Sequence, residues 1–492
     1  MKHTHLFRKI VAIIVTLAIM LPVFACTPRQ QVEATPKPSV AIETPELDLN
    51  PYKGDGSEYV SIYTDERDKK CEADIVQLAD NFLNIYNGHP KLADINTHVQ
   101  LYTSPIIADD TYENLYDPDL RSKFIDKINE IIISVPEMTE FEIIAALSEA
   151  VALVKDSHSY IKLPKDKMFP LEYFVIFNEN GVELYAERVE ISYKDCLAAR
   201  LDAINGVSTN EILERIRPVI SYEVESTFYY RAVDEMMSWH ILNYIGVIDD
   251  SDSAVFSFTD ASGKSFEKEI QAVDCDGGAN IEMTRYLNKF IDTYGDDSLL
   301  NMYLTDNFEY KYLKDETVLY TRIWACSDIG KDIVNDCTDI TNEIFNKIHD
   351  ENKELKSVIV DLRCNGGGYE DFVPALIRQL NRFGESVKKY IIIDEDVFSA
   401  GIITAALVKR AMSDAVLVGP PIRLYMSEIF SAYPSGGKLS YLDVGYSYGV
   451  SACHKCWPGY EGEGLMPDKV ICQTYEDYLN GVDSILKELL SE

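Results

Sequence analysis

Two stretches in the second half of the chain combine residue types that could stabilise negative charge. In the first, the apolar run SVIVDL leads into Gly366-Gly367-Gly368. Glycines after a buried strand let backbone N–H groups approach a ligand closely. A tight turn is the alternative, and no phosphate-loop motif is present. The second stretch has Ser399 at the start of an apolar segment. At a helix N-terminus its hydroxyl would lie where free N–H groups favour developing negative charge, although N-capping is the commoner role.

The pattern around these stretches predicts a layered α/β domain. From about residue 285, short apolar runs alternate with segments of helical periodicity, as expected for a buried sheet covered by helices. The predicted strands are Val318–Trp324, Ser357–Leu362, Val387–Ile393 and Ala415–Val418, and the predicted helices are 333–350, 369–382 and 399–412. In such sheets functional groups lie at the carboxyl ends of strands and at helix N-termini, where the glycines and Ser399 fall.

Two regions of different pattern precede this domain. Helical spacing of apolar residues in 66–87, 119–135 and 139–154 predicts a helical region that ends near His158. Between 168 and 275, short strands with turn signals such as Asn180-Gly181 predict a small β-rich module.

The N-terminus predicts an exported protein. A basic start precedes the uncharged run Ile10–Val23, which at about 1.5 Å per residue is too short for a hydrocarbon core of about 30 Å. Because Phe24-Ala25-Cys26 resembles a bacterial lipobox, we expect residues 1–25 to be a signal peptide. Cys26 would then be lipidated on the outer face of the cell membrane, and ordinary cleavage that leaves it a plain thiol is the alternative. The Pro-rich residues 26–58 predict an extended tether.

Charge and cysteine usage limit the partners and cofactors. The chain has 46 basic and 81 acidic residues, a net charge of −35, with no basic stripe, which excludes nucleic-acid binding. We therefore expect membrane contact only through the lipid. Cys453 and Cys456 have the spacing of two of the four ligands of a structural zinc site, but no second ligand pair lies nearby in the sequence. A disulfide within the loop, or two free thiols, is therefore favoured. No metal or cofactor is expected.

Four motifs together carry a resemblance. DLRCNGGG, FSAG, VGPP and GEGLMPD are similar to segments of the tricorn and C-terminal-processing protease family of serine peptidases, over about residues 140–475. The resemblance implies a crotonase-like ββα spiral joined to a PDZ-like domain. The expected organisation is a helical N-terminal domain (59–164), a PDZ-like β-rich domain (165–278) and an α/β catalytic domain (279–492). It also implies that Ser399 is the nucleophile, with an oxyanion hole formed by the N–H of Ala400 and one from Gly366 or Gly367.

The family divides by its general base. One branch uses a lysine, but Arg423 stands at that spacing here, and arginine retains its proton at working pH. The other branch, like tricorn protease, takes a histidine from before the PDZ-like domain and a glutamate after the nucleophile. Similarity to that branch implies His158 as the base, Ser157 as an auxiliary residue, and Glu461 as the carboxylate that orients the imidazole, with Glu463 as its nearest rival.

These inferences predict a membrane-tethered, extracytoplasmic serine endopeptidase. Serine is a weak nucleophile until a base accepts its proton, and an imidazole with a pKa near 6.5 suits neutral operation. Ser399, His158 and Glu461 would hydrolyse peptide bonds through an acyl-enzyme, with peptides or proteins as substrates and no cofactor. The alternative is a catalytically inactive lipoprotein of the same fold that binds peptides or apolar ligands, as retinoid-binding proteins of the superfamily do. The oligomeric state is left open.

Overall fold

The computed structural model describes residues 61–84, 88–93, 116–178, 181–275, 282–286, 308–326, 333–369, 371–424, 429–430, 435–452 and 464–492. All of them belong to the unit Leu49–Glu492. The helices of this part of the chain are α1 (Glu66–Leu83), α2 (Pro118–Ser134), α3 (Glu140–Ala152), α4 (Thr209–Ile216), α5 (Glu225–Glu235), α6 (Trp239–Tyr244), α7 (Ile333–Asp350), α8 (Val373–Asn381), α9 (Ala400–Ala411), α10 (Tyr475–Leu479) and α11 (Ser484–Ser491). None of these described helices is long and apolar enough to cross a membrane.

The described strands form five sheets. They are β1 (Tyr160–Ile161), β2 (Lys167–Met168), β3 (Leu171–Asn178), β4 (Gly181–Glu190), β5 (Arg200–Ile204), β6 (Val207–Ser208), β7 (Ser253–Thr259), β8 (Ser265–Gln271), β9 (Val273–Asp274), β10 (Met283–Arg285), β11 (Phe308–Leu313), β12 (Val318–Ile323), β13 (Ser357–Asp361), β14 (Lys388–Ile392), β15 (Ala415–Gly419), β16 (Ile429–Phe430), β17 (Ser435–Leu439), β18 (Val444–Tyr448), β19 (Ser451–Ala452) and β20 (Lys469–Val470). The two smallest sheets pair β2 with β9 and β16 with β19.

A six-stranded sheet forms the core of the C-terminal region. Its order is β11-β12-β13-β14-β15-β20, with β11 antiparallel and the other neighbours parallel. One face packs on α7, α8 and α9, and the other packs on α11; their buried residues include Leu319, Val360, Leu376 and Ile403 on the first face and Ile359, Ile392 and Leu486 on the second. Because Asp361 of β13 is in register with Ile392 of β14, the loops that leave these two strands start side by side.

The middle region is built on a seven-stranded antiparallel sheet. Its main order is β10-β4-β5-β7-β8, with β3 paired to β4 and β6 paired to β5. Ser208 accepts the N–H of Glu211 and thereby caps α4. Helix α5 then contacts the C-terminal region, because the Ser226 hydroxyl donates to the Arg423 carbonyl at 2.8 Å.

The N-terminal helices attach to the C-terminal region through a buried aspartate. Asp74 of α1 accepts the backbone N–H groups of Ser440, Tyr441 and Leu442, in the turn between β17 and β18, at 2.8–3.1 Å. Strand β1 extends the same sheet by pairing with β18. Since β1 begins two residues after His158, this pairing fixes the loop that carries the histidine.

The mixed α/β architecture expected from the sequence is confirmed. Most predicted elements end within a few residues of those observed; the predicted helix 333–350 is α7 itself, and 399–412 corresponds to α9. The domain boundaries, the ββα spiral and the PDZ-like assignment stay predictions. The signal peptide, the tether, Cys26, the pair Cys453 and Cys456, and the glutamates Glu461 and Glu463 lie outside the described residues.

Candidate active site

Ser399 lies on a sharp turn between the loop after β14 and the first residue of α9. Its backbone has φ +49° and ψ −121°, a sparsely populated conformation that costs on the order of 1–3 kcal/mol. The Phe398 N–H donates to the Asn365 carbonyl at 2.9 Å, which holds the turn against the glycine loop. The Ser399 side chain makes no capping hydrogen bond to α9. Ser399 therefore does not cap α9 with its side chain, although its position suggests that role.

His158 approaches Ser399 from a distant part of the sequence. The two residues are 241 positions apart, yet His158 Nε2 lies 3.4 Å from Ser399 Oγ. The imidazole packs on the ring of Phe398, with centroids 4.8 Å apart. A separation of 3.4 Å is long for a hydrogen bond but usual for a catalytic pair before substrate binds. The structure thus brings together the hydroxyl and the imidazole that the sequence proposed as nucleophile and base.

A buried carboxylate lies on the far side of the imidazole. Asp156 Oδ1 is 3.6 Å from His158 Nδ1 and accepts the His158 backbone N–H at 3.1 Å. Its other oxygen accepts the hydroxyl of Ser159 and lies 3.4 Å from Nε2 of His89. Burial alone would raise the pKa of Asp156, but the contacts with His158 and His89 outweigh burial and hold it well below its ordinary value.

A second carboxylate, Glu223, holds the residue before the histidine. Glu223 Oε1 accepts both the backbone N–H and the hydroxyl of Ser157, at 2.8 and 2.7 Å. Burial and the charge of Asp156 raise the pKa of Glu223. Arg231 of α5 donates to the carbonyls of Ser157 and Ser221, so two side chains of the middle region fix this loop. The predicted auxiliary residue Ser157 therefore contacts Glu223 rather than the imidazole.

The glycine loop lies against Ser399. A Cβ built on Gly367 would meet Ser399 Cβ at 2.7 Å and the Phe398 carbonyl at 2.9 Å, so only glycine fits there. The buried Asn365 accepts the Gly367 N–H at 2.9 Å and donates to the Ile323 carbonyl at 2.9 Å. Of the two predicted glycine donors, Gly367 is thus already engaged. The exposed Gly366 has no acceptor among the described residues.

Ala400 supplies the second predicted donor. It is the first residue of α9, so its N–H is one of those with no partner inside the helix. No acceptor for it is found in the part of the chain that the structure describes. The dipole of α9 also favours negative charge at this end. The amide of Ala400, which follows Ser399, and that of Gly366, which precedes Gly367, are thus both available as donors.

An acidic loop precedes Ser399. The carboxylate of Asp394 accepts the Cys364 N–H at 3.1 Å, and Asp396 donates its own N–H to Asp394 at 3.1 Å. Burial raises the pKa of Asp394 to about 6, and burial together with the charge of Asp394 raises that of Asp396 to about 8. Burial also raises the pKa of Glu395 between them.

Two groups of three side chains in the described residues bring possible metal-ligand atoms within 4.8 Å of one another: Asp156, His158 and Glu223, and Cys364, Asp394 and Asp396. In the first group His158 faces Ser399, and Glu223 already accepts two hydrogen bonds from Ser157. The second is an acidic cluster whose members bond to one another. We assign no metal to either group, and the expectation of a metal-free site stays a prediction.

Sequence reasoning missed four residues of this site: His89, Asp156, Glu223 and Asn365. Asp156 was detectable, since it stands two residues before His158, where its backbone can fold the carboxylate towards the ring. Asn365 precedes the three glycines and could have been interpreted as the residue that fixes their loop. His89 and Glu223 carry no local signal, because each reaches the site only through tertiary contacts.

Comparisons with known proteins give the fold an independent reference. No family model matches the chain, and no curated protein matches it. Among solved structures, mature CPAF is similar with a TM-score of 0.55 and 11% identity, covering 86% of this chain and 96% of that chain. Mature CPAF complexed with lactacystin gives 0.52 and 11%, covering 86% and 99%. The photosystem II D1 C-terminal processing protease covers 72% of this chain and 88% of its own at 10% identity, with a TM-score of only 0.34. The two CPAF similarities show that this chain shares a mixed α/β fold with that protein.

Proposed function

We propose that this protein is a serine endopeptidase in which Ser399 is the nucleophile and His158 the general base. The observation that carries this proposal is the 3.4 Å approach of His158 Nε2 to Ser399 Oγ, where the glycine loop lies against Ser399 through Gly367. The fold supports it, because CPAF is a serine protease. The unused capping position and the strained backbone of Ser399 support it further, since strain of this kind concentrates at functional sites.

The reaction follows from the position of each group. His158 Nε2 accepts the proton of Ser399 as Oγ bonds to the peptide carbonyl carbon, and the N–H groups of Gly366 and Ala400 hold the resulting oxyanion. His158 then gives the proton to the departing amine, which leaves an acyl-enzyme. A water molecule, deprotonated by the same imidazole, attacks the ester, and the acid product departs as Ser399 regains its proton.

Three finer features belong to the same proposal. Glu461 is the proposed third member of the triad, on the similarity of EGEGLMPD to the family motif. Residues 165–278 are proposed as a PDZ-like domain that gathers peptide segments at a sheet edge, supported by their antiparallel sheet. Lipidation of Cys26 and the Pro-rich tether would hold the enzyme on the outer face of the bacterial membrane, as the N-terminal sequence suggests.

Active-site labelling tests the proposal. A fluorophosphonate probe should label the wild-type chain and should fail to label Ser399→Ala, while circular dichroism shows an unchanged fold. Ser262→Ala, in an exposed turn of the middle region, is the matched control and should label normally. Labelling that persists in Ser399→Ala would show that another residue is the nucleophile. A wild-type chain that neither labels nor cleaves a peptide library would favour the binding-protein alternative.

A further inference from the structure

A carboxylate that no sequence motif indicated lies between two imidazoles behind Ser399. Asp156 is fully buried and directs Oδ1 towards His158 Nδ1 at 3.6 Å and Oδ2 towards His89 Nε2 at 3.4 Å. The row His89, Asp156, His158, Ser399 is therefore continuous, with each member within 3.6 Å of the next. All four are described residues, whereas the proposed Glu461 is not.

We propose that Asp156 is a further positioning carboxylate that, in addition to the proposed Glu461, orients His158 towards Ser399, and that His89 holds Asp156 in place. This inference rests on the proposed function, because it assigns a role in the same proton transfer. Neither residue touches the substrate; both act through His158.

The hydrogen-bonding partners of His89 determine which of its ring nitrogens carries the proton. His89 Nδ1 accepts the backbone N–H of Lys91 at 3.3 Å, so the proton of the neutral ring must be on Nε2, which faces Asp156. The ring is neutral because burial lowers the pKa of His89. The His89 backbone N–H donates to the Phe82 carbonyl at 2.9 Å, and its ring stacks on the Phe82 ring. The His89 ring is thus held with its Nε2 proton facing Asp156 at 3.4 Å.

The chemistry of Ser399 determines the proton position on His158. Nε2 must be unprotonated to accept the serine proton, so the proton of the neutral ring must be on Nδ1, which faces Asp156. Both imidazoles would then donate to the same carboxylate, in addition to the His158 backbone N–H and the Ser159 hydroxyl. A carboxylate with this many donors remains ionised when buried and can stabilise the imidazolium formed during catalysis.

Other charged groups near His158 are less suited to this role. Glu223 Oε1 is occupied by two donors from Ser157, and burial and the charge of Asp156 favour its neutral form. Arg231 is committed to backbone carbonyls, one of them that of Ser157. On the other side of His89, Lys91 donates its ammonium to the Val154 carbonyl. Asp156 is thus the ionised group best placed to face Nδ1 among the residues described.

Kinetics of Asp156→Asn test the inference. The amide is nearly isosteric, but its NH₂ group can donate to Nδ1 and thereby force the proton onto Nε2, where it blocks the base. We expect kcat to fall by about 10²-fold or more, with KM changed less than about threefold, and the acid limb of the kcat/KM profile to move to lower pH. His89→Gln should give a smaller loss of kcat, about tenfold, with a shift in the same direction. An unchanged kcat and pH profile in Asp156→Asn would overturn the inference.

A spectroscopic measurement covers the case in which Asp156→Asn does not fold. With ¹⁵N-labelled histidine, the wild-type chain should show the Nδ1–H tautomer for His158 and the Nε2–H tautomer for His89; an Nε2–H tautomer for His158 would overturn the proposal.

Glu461→Gln separates the two carboxylates. If that variant alone loses kcat and the low-field Nδ1–H signal, Asp156 is not the orienting group. Fluorophosphonate labelling of wild-type Ser399 keeps the two proposals distinct, since its absence refutes the peptidase itself.

Discussion

Replacing Gly367 by alanine should disable the site although every proposed catalytic side chain is retained. The new Cβ would lie 2.7 Å from Ser399 Cβ, 2.9 Å from the Phe398 carbonyl and 3.0 Å from the Ala400 nitrogen, and Gly367 has φ +102°, where alanine is strained. Since these neighbours are mainly backbone atoms, the glycine loop or Ser399 must move by several tenths of an ångström or more. Displacement of about 1 Å at a reacting group can cost about 10²-fold in rate, and loss of one oxyanion donor about 10²–10³-fold.

We therefore expect kcat/KM of Gly367→Ala to fall by about 10²–10³-fold, equivalent to about 2.7–4 kcal/mol of transition-state stabilisation. Peptide hydrolysis and the rate of fluorophosphonate labelling would measure the loss, and circular dichroism would check the fold. Gly366→Ala is the matched comparison, because nothing lies within 4 Å of its Cβ and the backbone N–H is retained. It should lose at least tenfold less activity than Gly367→Ala. Wild-type kcat/KM in a folded Gly367→Ala variant would refute the proposed placement of the glycine loop.

Two further predictions concern stability. Asp74→Ala removes the acceptor of three backbone N–H groups, so it should lower the free energy of unfolding by about 2–4 kcal/mol and the Tm by several degrees. Glu66→Ala, on the exposed first turn of α1, is the matched control and should leave the Tm unchanged. Equal Tm values for the two variants would contradict this prediction. Asp396 has a pKa raised to about 8, so the folded state binds its proton more tightly and loses stability as pH rises from about 4 to about 8. Asp396→Asn should therefore raise the Tm at pH 8 but not at pH 4. The expected gain in the free energy of unfolding at pH 8 is about 1–2 kcal/mol, since the side chain keeps some exposure. A lower Tm of the variant at pH 8 would contradict the predicted sign.

The sequence predicted the parts of the fold that depend on local pattern. Strands β13 and β14 are apolar runs between helices, so their position and the loops that follow them were predictable. The hairpin of β17 and β18 was not predicted, because Ser435–Leu439 has two glycines, is largely exposed and lacks a clear alternation of apolar residues. Yet this hairpin holds both α1 and β1, and through them the loop of His158.

Prediction of the site depended on how far its members lie apart along the chain. Ser399 and the glycines follow neighbouring strands, so their proximity followed from the sheet. The approach of His158 came only from the family resemblance, since no periodicity relates residues 241 positions apart. His89 lies in a short polar stretch, NGHP, which indicates a turn and nothing about a second imidazole. Its role depends on α1, whose Phe82 fixes both its backbone and its ring.

Asn365 explains how the site keeps the strained backbone of Ser399 in place. The residues Cys364, Gly367 and Ser399 all have positive φ, and such conformations persist only where the surroundings determine them fully. The Asn365 side chain bonds to the Ile323 carbonyl at the end of β12 and to the Gly367 N–H, while its carbonyl accepts the Phe398 N–H. One buried residue thus ties three consecutive neighbours of the sheet together: the end of β12, the loop after β13 and the loop after β14. Because those strands are in fixed register, a shift of any one loop would break hydrogen bonds in the other two, and the position of Ser399 is set by the sheet rather than by its own turn.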